Sequence, residues 1–218
     1  MKTSELFEAR HTLCKELIEK YEYPWEILAH IKEFILEIGK KLDTGCFVER
    51  SAGVWIAKSA KISESAYIGA PTIIDEGAEV RHCAFIRGGV IIGKGCVVGN
   101  STEMKNSIIF DGVQVPHYNY VGDSILGYKA HLGAGAITSN VKSDKSSVSV
   151  ILNGEKFDTG LKKLGAMIGD MVEVGCNSVL CPGTIIGRDA TVYPLSRVRG
   201  TVNEGCIFKN EENIVKKQ

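Results

Sequence analysis

Residues 56–98 read IAKSAKISESAYIGAPTIIDEGAEVRHCAFIRGGVIIGKGCVV, and this stretch decides the fold. Ile56, Ile62, Ile68, Ile74, Val80, Ile86, Ile92 and Val98 follow one another at steps of six, and the small residues Ala60, Ala66, Thr72, Ala78 and Ala84 recur between them. A period of six is neither the 3.6 of a helix nor the simple alternation of a strand. Sustained periods of this kind mark solenoids. Each hexad supplies a short strand and a corner. One branched aliphatic per hexad points into a narrow three-sided prism, and a small residue sits where the wall turns. Three hexads, 18 residues, complete a coil, and coils stack at roughly the ~4.8 Å spacing of paired strands.

The rhythm extends outward from this core. It continues at Val121, Leu126 and Leu132 and again at Ile168, Val174, Leu180, Ile186, Val192 and Val198. Residues 104–120 shift its register. Residues 141–165, polar and lysine-rich, predict a loop or hairpin extruded from the prism, with a turn at Asn153-Gly154. Before the repeat, residues 1–44 carry apolar stripes at helical spacing, first Leu6, Leu13, Leu17 and Ile18, then Ile27, Leu28, Ile31, Phe34, Ile35, Ile38 and Leu42. Pro24 suits the first turn of the second helix, and Asp43-Thr44-Gly45 ends it. Such helices are too short to stand alone, so they are expected to pair as an αα-hairpin or to pack against the later part of the chain. The expected organisation is a helical segment over 1–50, a β-helix over 51–203 with 141–165 thrown out, and a charged tail over 204–218 forming a short helix or strand.

The 26 basic and 26 acidic side chains cancel, which gives no reason to expect nucleic acid or an anionic membrane as partner. No apolar run approaches a membrane span, and the N-terminus MKTSELFEARH is unlike a signal peptide. Seven scattered cysteines without a CxxC pair argue for free thiols in a reducing cytoplasm, and against a disulfide framework or a zinc site.

The register break gathers groups that bind and move protons: Lys105, His117, Tyr120, Asp123, His131 and Asn140. An imidazole, with an unperturbed pKa near ~6.5, is suited to take the proton that an amine loses as it attacks a thioester. The segments VGNSTEMKN (98–106), PHYNYVGDSILG (116–127) and LGAGAITSN (132–140) resemble, in order and spacing, the acetyltransferase half of the bifunctional glucosamine-1-phosphate acetyltransferase / N-acetylglucosamine-1-phosphate uridylyltransferase family. The resemblance covers roughly residues 51–200. It implies an all-β solenoid, a left-handed parallel β-helix of hexapeptide repeats, with acetyl-CoA as acyl donor, no metal, and a homotrimer.

Residue by residue, the resemblance implies that His117, in the motif H-x-x-Y-x-G-D, is the general base, with Asp123 a candidate to orient its ring. Arg87, Lys105 and Tyr120 match positions that hold the sugar phosphate, a role that guanidinium, ammonium and phenol can share. His131 stands where the family has a sugar-contacting asparagine. Ala134 and Asn140 match positions on the acyl-donor side. Cys176 replaces a serine, and Pro194 falls at or near an alanine. Lys142 and Lys145 are candidates for a lysine that closes over the phosphate.

The expectation is an acetyl-CoA-dependent N-acetyltransferase acting on an amino sugar, a hexosamine 1-phosphate. No Gly-rich nucleotide-binding segment opens the chain, so the uridylyltransferase half is expected to be missing. Two alternatives stay open: an acyltransferase for a different amine, and a non-catalytic protein that binds a sugar nucleotide. A metal-dependent hydratase on the same fold needs three convergent histidines, two of them five residues apart, and His82, His117 and His131 lack that spacing.

Overall fold

The structure is a computed structural model and describes residues 1–152 and 154–217. The expected class, a left-handed parallel β-helix of hexapeptide repeats, is the one the chain adopts. The hexad aliphatics fill the prism: Ile74, Val80, Ile86, Ile92, Val98, Leu126, Leu132, Ile168, Val174, Leu180, Ile186, Val192 and Val198 are all buried. Short parallel strands stack coil on coil, so that Ile56 pairs with Ile74 and Ile74 with Ile92, a step of 18.

The register break is a deletion of one residue at one corner. Ile92 pairs with Ile109 and Ile109 with Leu126, a step of 17. Met104 still lies against Ile86, but Ser107 lies against Val90, so Lys105-Asn106 spans the turn that Arg87-Gly88-Gly89 makes one coil earlier. With the turn shortened, the strand Glu103–Ile109 runs round the corner unbroken, and Tyr120–Leu126 repeats this one coil later. These two strands fuse two faces of the prism into one 14-stranded sheet, and the third face is a separate 9-stranded sheet. Asn106 and Asp123 sit at φ 45° and 48° at the tightened corner. Asn and Asp tolerate this left-handed region better than most residues.

Residues 141–165 leave the prism at that same corner. Leu126 is therefore followed on its face by Ile168. The extruded segment forms an antiparallel hairpin, Ser149–Leu152 with Glu155–Asp158. Asn153, at the expected turn, lies outside the described residues. The hairpin is packed rather than free: Val148, Val150 and Leu152 are buried, and Thr201 Oγ1 donates to the carbonyl of Ile151.

Both ends of the solenoid are closed by antiparallel pairs, which cover strand edges that would otherwise be open to pairing. Phe47–Ser51 folds on Val54–Ala57 at one end. Cys206–Asn210 folds on Asn213–Lys216 at the other, so the tail takes the strand alternative and continues the last coil, with Phe208 against Val192.

The first 40 residues depart from a two-helix hairpin. They form α1 (Thr3–Leu6), a 3₁₀ turn (Ala9–His11), α2 (Lys15–Lys20), a second 3₁₀ stretch (Pro24–Ala29) and α3 (Ile31–Gly39). The apolar stripes take the other course and pack on the solenoid. Leu6, Phe7, Leu17, Ile18, Ile27, Ile31 and Ile35 are buried in one core with it, and the Phe7 ring lies 5.2 Å from that of Phe110. The segment must track a flat wall, and backbone bonds to that wall interrupt the helix. Asp111 N–H donates to the His11 carbonyl at 3.0 Å and Asp170 N–H to the Leu6 carbonyl at 3.0 Å. Among the described residues no helix is long and apolar enough to cross a membrane.

Candidate active site

The shortened corner gathers most of the expected polar residues around Asp123. Its carboxylate is buried and accepts from Asn106 Nδ2 at 2.9 Å and from Asn140 Nδ2 at 2.5 Å. Lys105 Nζ stands 3.2 Å from the same group. Asn140 Nδ2 also donates to the Tyr120 hydroxyl at 3.1 Å. The Tyr120 ring lies over Gly122, where an added Cβ would come 2.5 Å from the phenolic oxygen. Burial first, then the Asp123 and Glu103 charges, push the Tyr120 hydroxyl above its ordinary pKa, against the Asn140 bond and Arg87. The phenol is therefore a donor at neutral pH.

Beside this cluster opens a pocket of about 400 Å³. Arg87, Gly88, Lys105, Asn106 and Asp123 line it from the solenoid, and Ala29 and Lys32 line it from the helical segment. Arg87 Nη1 donates to Glu103 at 2.8 Å across the neighbouring coils. Gly88 has φ +92°, and a side chain there would strike the Ala70 carbonyl. Three cations, Lys32, Arg87 and Lys105, stand against two carboxylates, Asp123 in the lining and Glu103 on Arg87, a balance suited to an anion that can displace Glu103 from Arg87.

A second column stands at the next corner round the prism. Backbone bonds stack His117 on Asn100, Ala134 on His117, Cys176 on Ala134 and Pro194 on Cys176: Tyr118 N–H donates to Asn100, Gly135 N–H to His117, Asn177 N–H to Ala134 and Leu195 N–H to Cys176, at 2.9, 3.0, 2.8 and 2.9 Å. His117, at the end of the strand Gln114–His117, is exposed, and its backbone N–H donates to Asn119 Oδ1 at 3.0 Å. Asn119 holds the turn from inside through Nδ2 bonds to Gly133 and Ala136. Ala134, Cys176 and Pro194 thus form a file of short side chains leading away from the imidazole.

The expected partnership of Asp123 with His117 is not met within the chain. The two residues occupy different corners, and among the described residues no hydrogen bond joins them. His131 belongs to neither cluster. It lies on the separate sheet, where its Nδ1 is 2.7 Å from Glu173. Lys142 lies at the foot of the extruded hairpin, bonded to Ser146 Oγ at 2.5 Å, in a second pocket of about 570 Å³ with Lys156, Arg197 and Arg199. Among the described residues no group of three or more His, Cys, Asp or Glu is placed to hold a metal ion.

Sequence reading missed Asn106 and Lys32. Asn106 adjoins Lys105 at the register break, which is a usable signal. Lys32 is an exposed residue of a helix whose apolar stripe faces elsewhere, and no spacing rule points it at the solenoid.

Fold and columns together define a hexapeptide-repeat β-helix protein with a polar, cation-bearing corner. The chain belongs to the GMPPB C-terminal domain family, whose model matches residues 68–203. It is 36% identical over 156 residues to the bifunctional sugar-1-phosphate nucleotidylyltransferase/acetyltransferase of Sulfurisphaera tokodaii, covering 72% of this chain and 39% of that one. It is 32% identical over 215 residues to the bifunctional protein GlmU of Methanococcus maripaludis, covering 90% of this chain and 48% of that one. The chain thus spans less than half the length of these relatives. Among solved structures, the polySia specific acetyltransferase NeuO aligns over 77% of this chain and 88% of that chain, at 11% identity and a TM-score of 0.44.

Proposed function

We propose that the chain is an acetyl-CoA-dependent N-acetyltransferase acting on an amino sugar, a hexosamine 1-phosphate, with His117 as general base. The observation that carries the reading is the pair of columns on successive corners of the same coils. One offers cations and a neutral phenol to a phosphate. The other places an exposed imidazole at the foot of a narrow file of small side chains, where a thin acyl-carrying arm can lie. The bifunctional relatives named above include an acetyltransferase, which supports the same reading.

In this mechanism Arg87, Lys105 and Tyr120 hold the phosphate. Asp123 fixes Lys105, Asn106 and Asn140 in place and is a positioning residue for the phosphate side. The sugar amine attacks the thioester carbonyl, so that a C–N bond forms as the C–S bond breaks. His117 takes the amine proton, and the proton leaves with the coenzyme thiol. Acetyl-CoA would run along Ala134, Cys176 and Pro194, whereas Asn140, expected on the acyl-donor side, stands at the Asp123 corner bonded to Tyr120 and Asp123. Because the two columns stand at different corners, three copies arranged with the corner of one against the face of the next would complete each site. A different amine acceptor is favoured by one observation: the ring of His131, which stands where the family has a sugar-contacting asparagine, is committed to Glu173.

The test is His117→Ala. We expect kcat to fall on the order of 100- to 10,000-fold with acetyl-CoA affinity little changed. The acid limb of the wild-type pH–rate profile should vanish in the variant. A folded variant that keeps more than about a tenth of the wild-type kcat refutes the assignment.

A further inference from the structure

We propose that Lys32, carried by the N-terminal helical segment, is the third cation of the phosphate pocket and reads a phosphate monoester together with Arg87 and Lys105. The inference rests on the proposed function for its substrate class, but it concerns binding and stands or falls separately.

Three observations carry it. First, Lys32 lines the same pocket as Arg87 and Lys105, and α3 packs against the strands Val90–Ile92 and Glu103–Ile109, the second of which carries Lys105 and Asn106. Second, its stem has a prepared bed. A Cβ added to Gly89, at φ +65°, would lie 3.2 Å from both Cγ and Cε of Lys32, so the backbone is bare where the methylenes cross it. Third, the charges of the pocket are unequally partnered. Arg87 pairs with Glu103 and Lys105 with Asp123, whereas Lys32 pairs with no carboxylate among the described residues. A monoester carries close to two negative charges at neutral pH, and an unpartnered ammonium on a flexible stem can move with it as a point charge. The helical segment is then part of the binding site and not only a cover for the solenoid.

The experiment is calorimetric titration of the full chain with glucose 1-phosphate, a hexose phosphate with no amine to acetylate, and with inorganic phosphate as control. Lys32→Gln keeps the Cγ methylene that lies on Gly89, replaces the outer stem with a neutral amide and removes the charge. We expect it to weaken glucose 1-phosphate binding about tenfold, and Lys32→Arg to restore it to within about threefold. Raised salt should narrow the gap. Melting temperatures and acetyl-CoA affinity should match the wild type in both variants. Equal dissociation constants for wild type and Lys32→Gln overturn the inference, as does a wild type that binds neither probe. Lys32-dependent binding without transfer to any amine would leave this inference standing and remove the proposed reaction. Transfer that is indifferent to Lys32 would do the reverse.

Discussion

At the scale of single residues, Asp123 separates two roles that the sequence could not. A carboxylate that oriented His117 would act on the chemical step. The observed carboxylate instead accepts from Asn106 and Asn140 and faces Lys105. Asp123→Asn is an unusually clean probe, because Asn tolerates the φ of 48° found there. The substitution sets donor against donor in a buried cluster, and stability should fall by about 1–3 kcal/mol. KM for a phosphorylated acceptor should rise while kcat and its pH profile hold. Loss of kcat with KM intact would return Asp123 to the His117 ring. Arg87→Ala and Lys105→Ala should each raise KM for the phosphorylated acceptor more than for its dephosphorylated analogue, since charge-assisted bonds contribute roughly 1.5–3 kcal/mol. Equal losses on both acceptors would show that these cations do not read phosphate.

At the scale of elements, the helical segment is tied down by one buried carboxylate. Asp170 Oδ2 accepts from Glu8 N–H at 2.7 Å and Oδ1 from Tyr128 N–H at 2.8 Å. Burial pushes the Asp170 carboxyl above its ordinary value of 3.8, while those two amides and Arg188 pull it down. With the folded-state value raised, the fold binds the proton more tightly than the unfolded chain does. Its contribution is thus present at acid pH and lost as pH rises through the window above 3.8. The melting-temperature gap between wild type and Asp170→Asn should therefore shrink as pH rises, and a gap that widens would mean the amide bonds outweigh burial. At any pH the variant should exchange the Glu8 and Tyr128 amide hydrogens faster.

No spacing rule reaches this clamp, whose partners lie 162 residues apart in Glu8 and Asp170. The solenoid itself was legible because each coil repeats one local demand, an aliphatic at every sixth position. The first interruption was legible as a place but not as a shape, whereas residues 141–165 were expected as a loop or hairpin and form an antiparallel hairpin. A one-residue deletion at Lys105-Asn106 looks in sequence like a lost period, although the structure only tightens a corner. The helical stripes of Leu17 and Ile27 were visible, but the wall that breaks them into short turns was not. Arg87, Lys105, Tyr120 and Asn140 were found through motif resemblance, and the structure gathers them at one corner.

At the scale of the whole molecule, the exposed apolar groups argue for a partner copy. Leu195 is 80% exposed and Tyr118 63%, both at positive φ on the His117 corner. Large side chains are seldom held in that backbone region and in water together. On the adjoining face Tyr67 and Phe85, 60% and 42% exposed, pack ring to ring at 5.4 Å. A corner of one copy set against this face of the next would cover both. Light scattering should give three times the 23.7 kDa of the chain, and Leu195→Glu should lower the mass and the transfer rate together. A stable, active monomer would end the trimer. The central claim is acyl transfer, and the most direct measurement is coenzyme thiol release from acetyl-CoA across a panel of hexosamine 1-phosphates and their dephosphorylated forms. The account predicts release in step with loss of the sugar amine, faster for a phosphorylated acceptor. No release with any amine acceptor would contradict it.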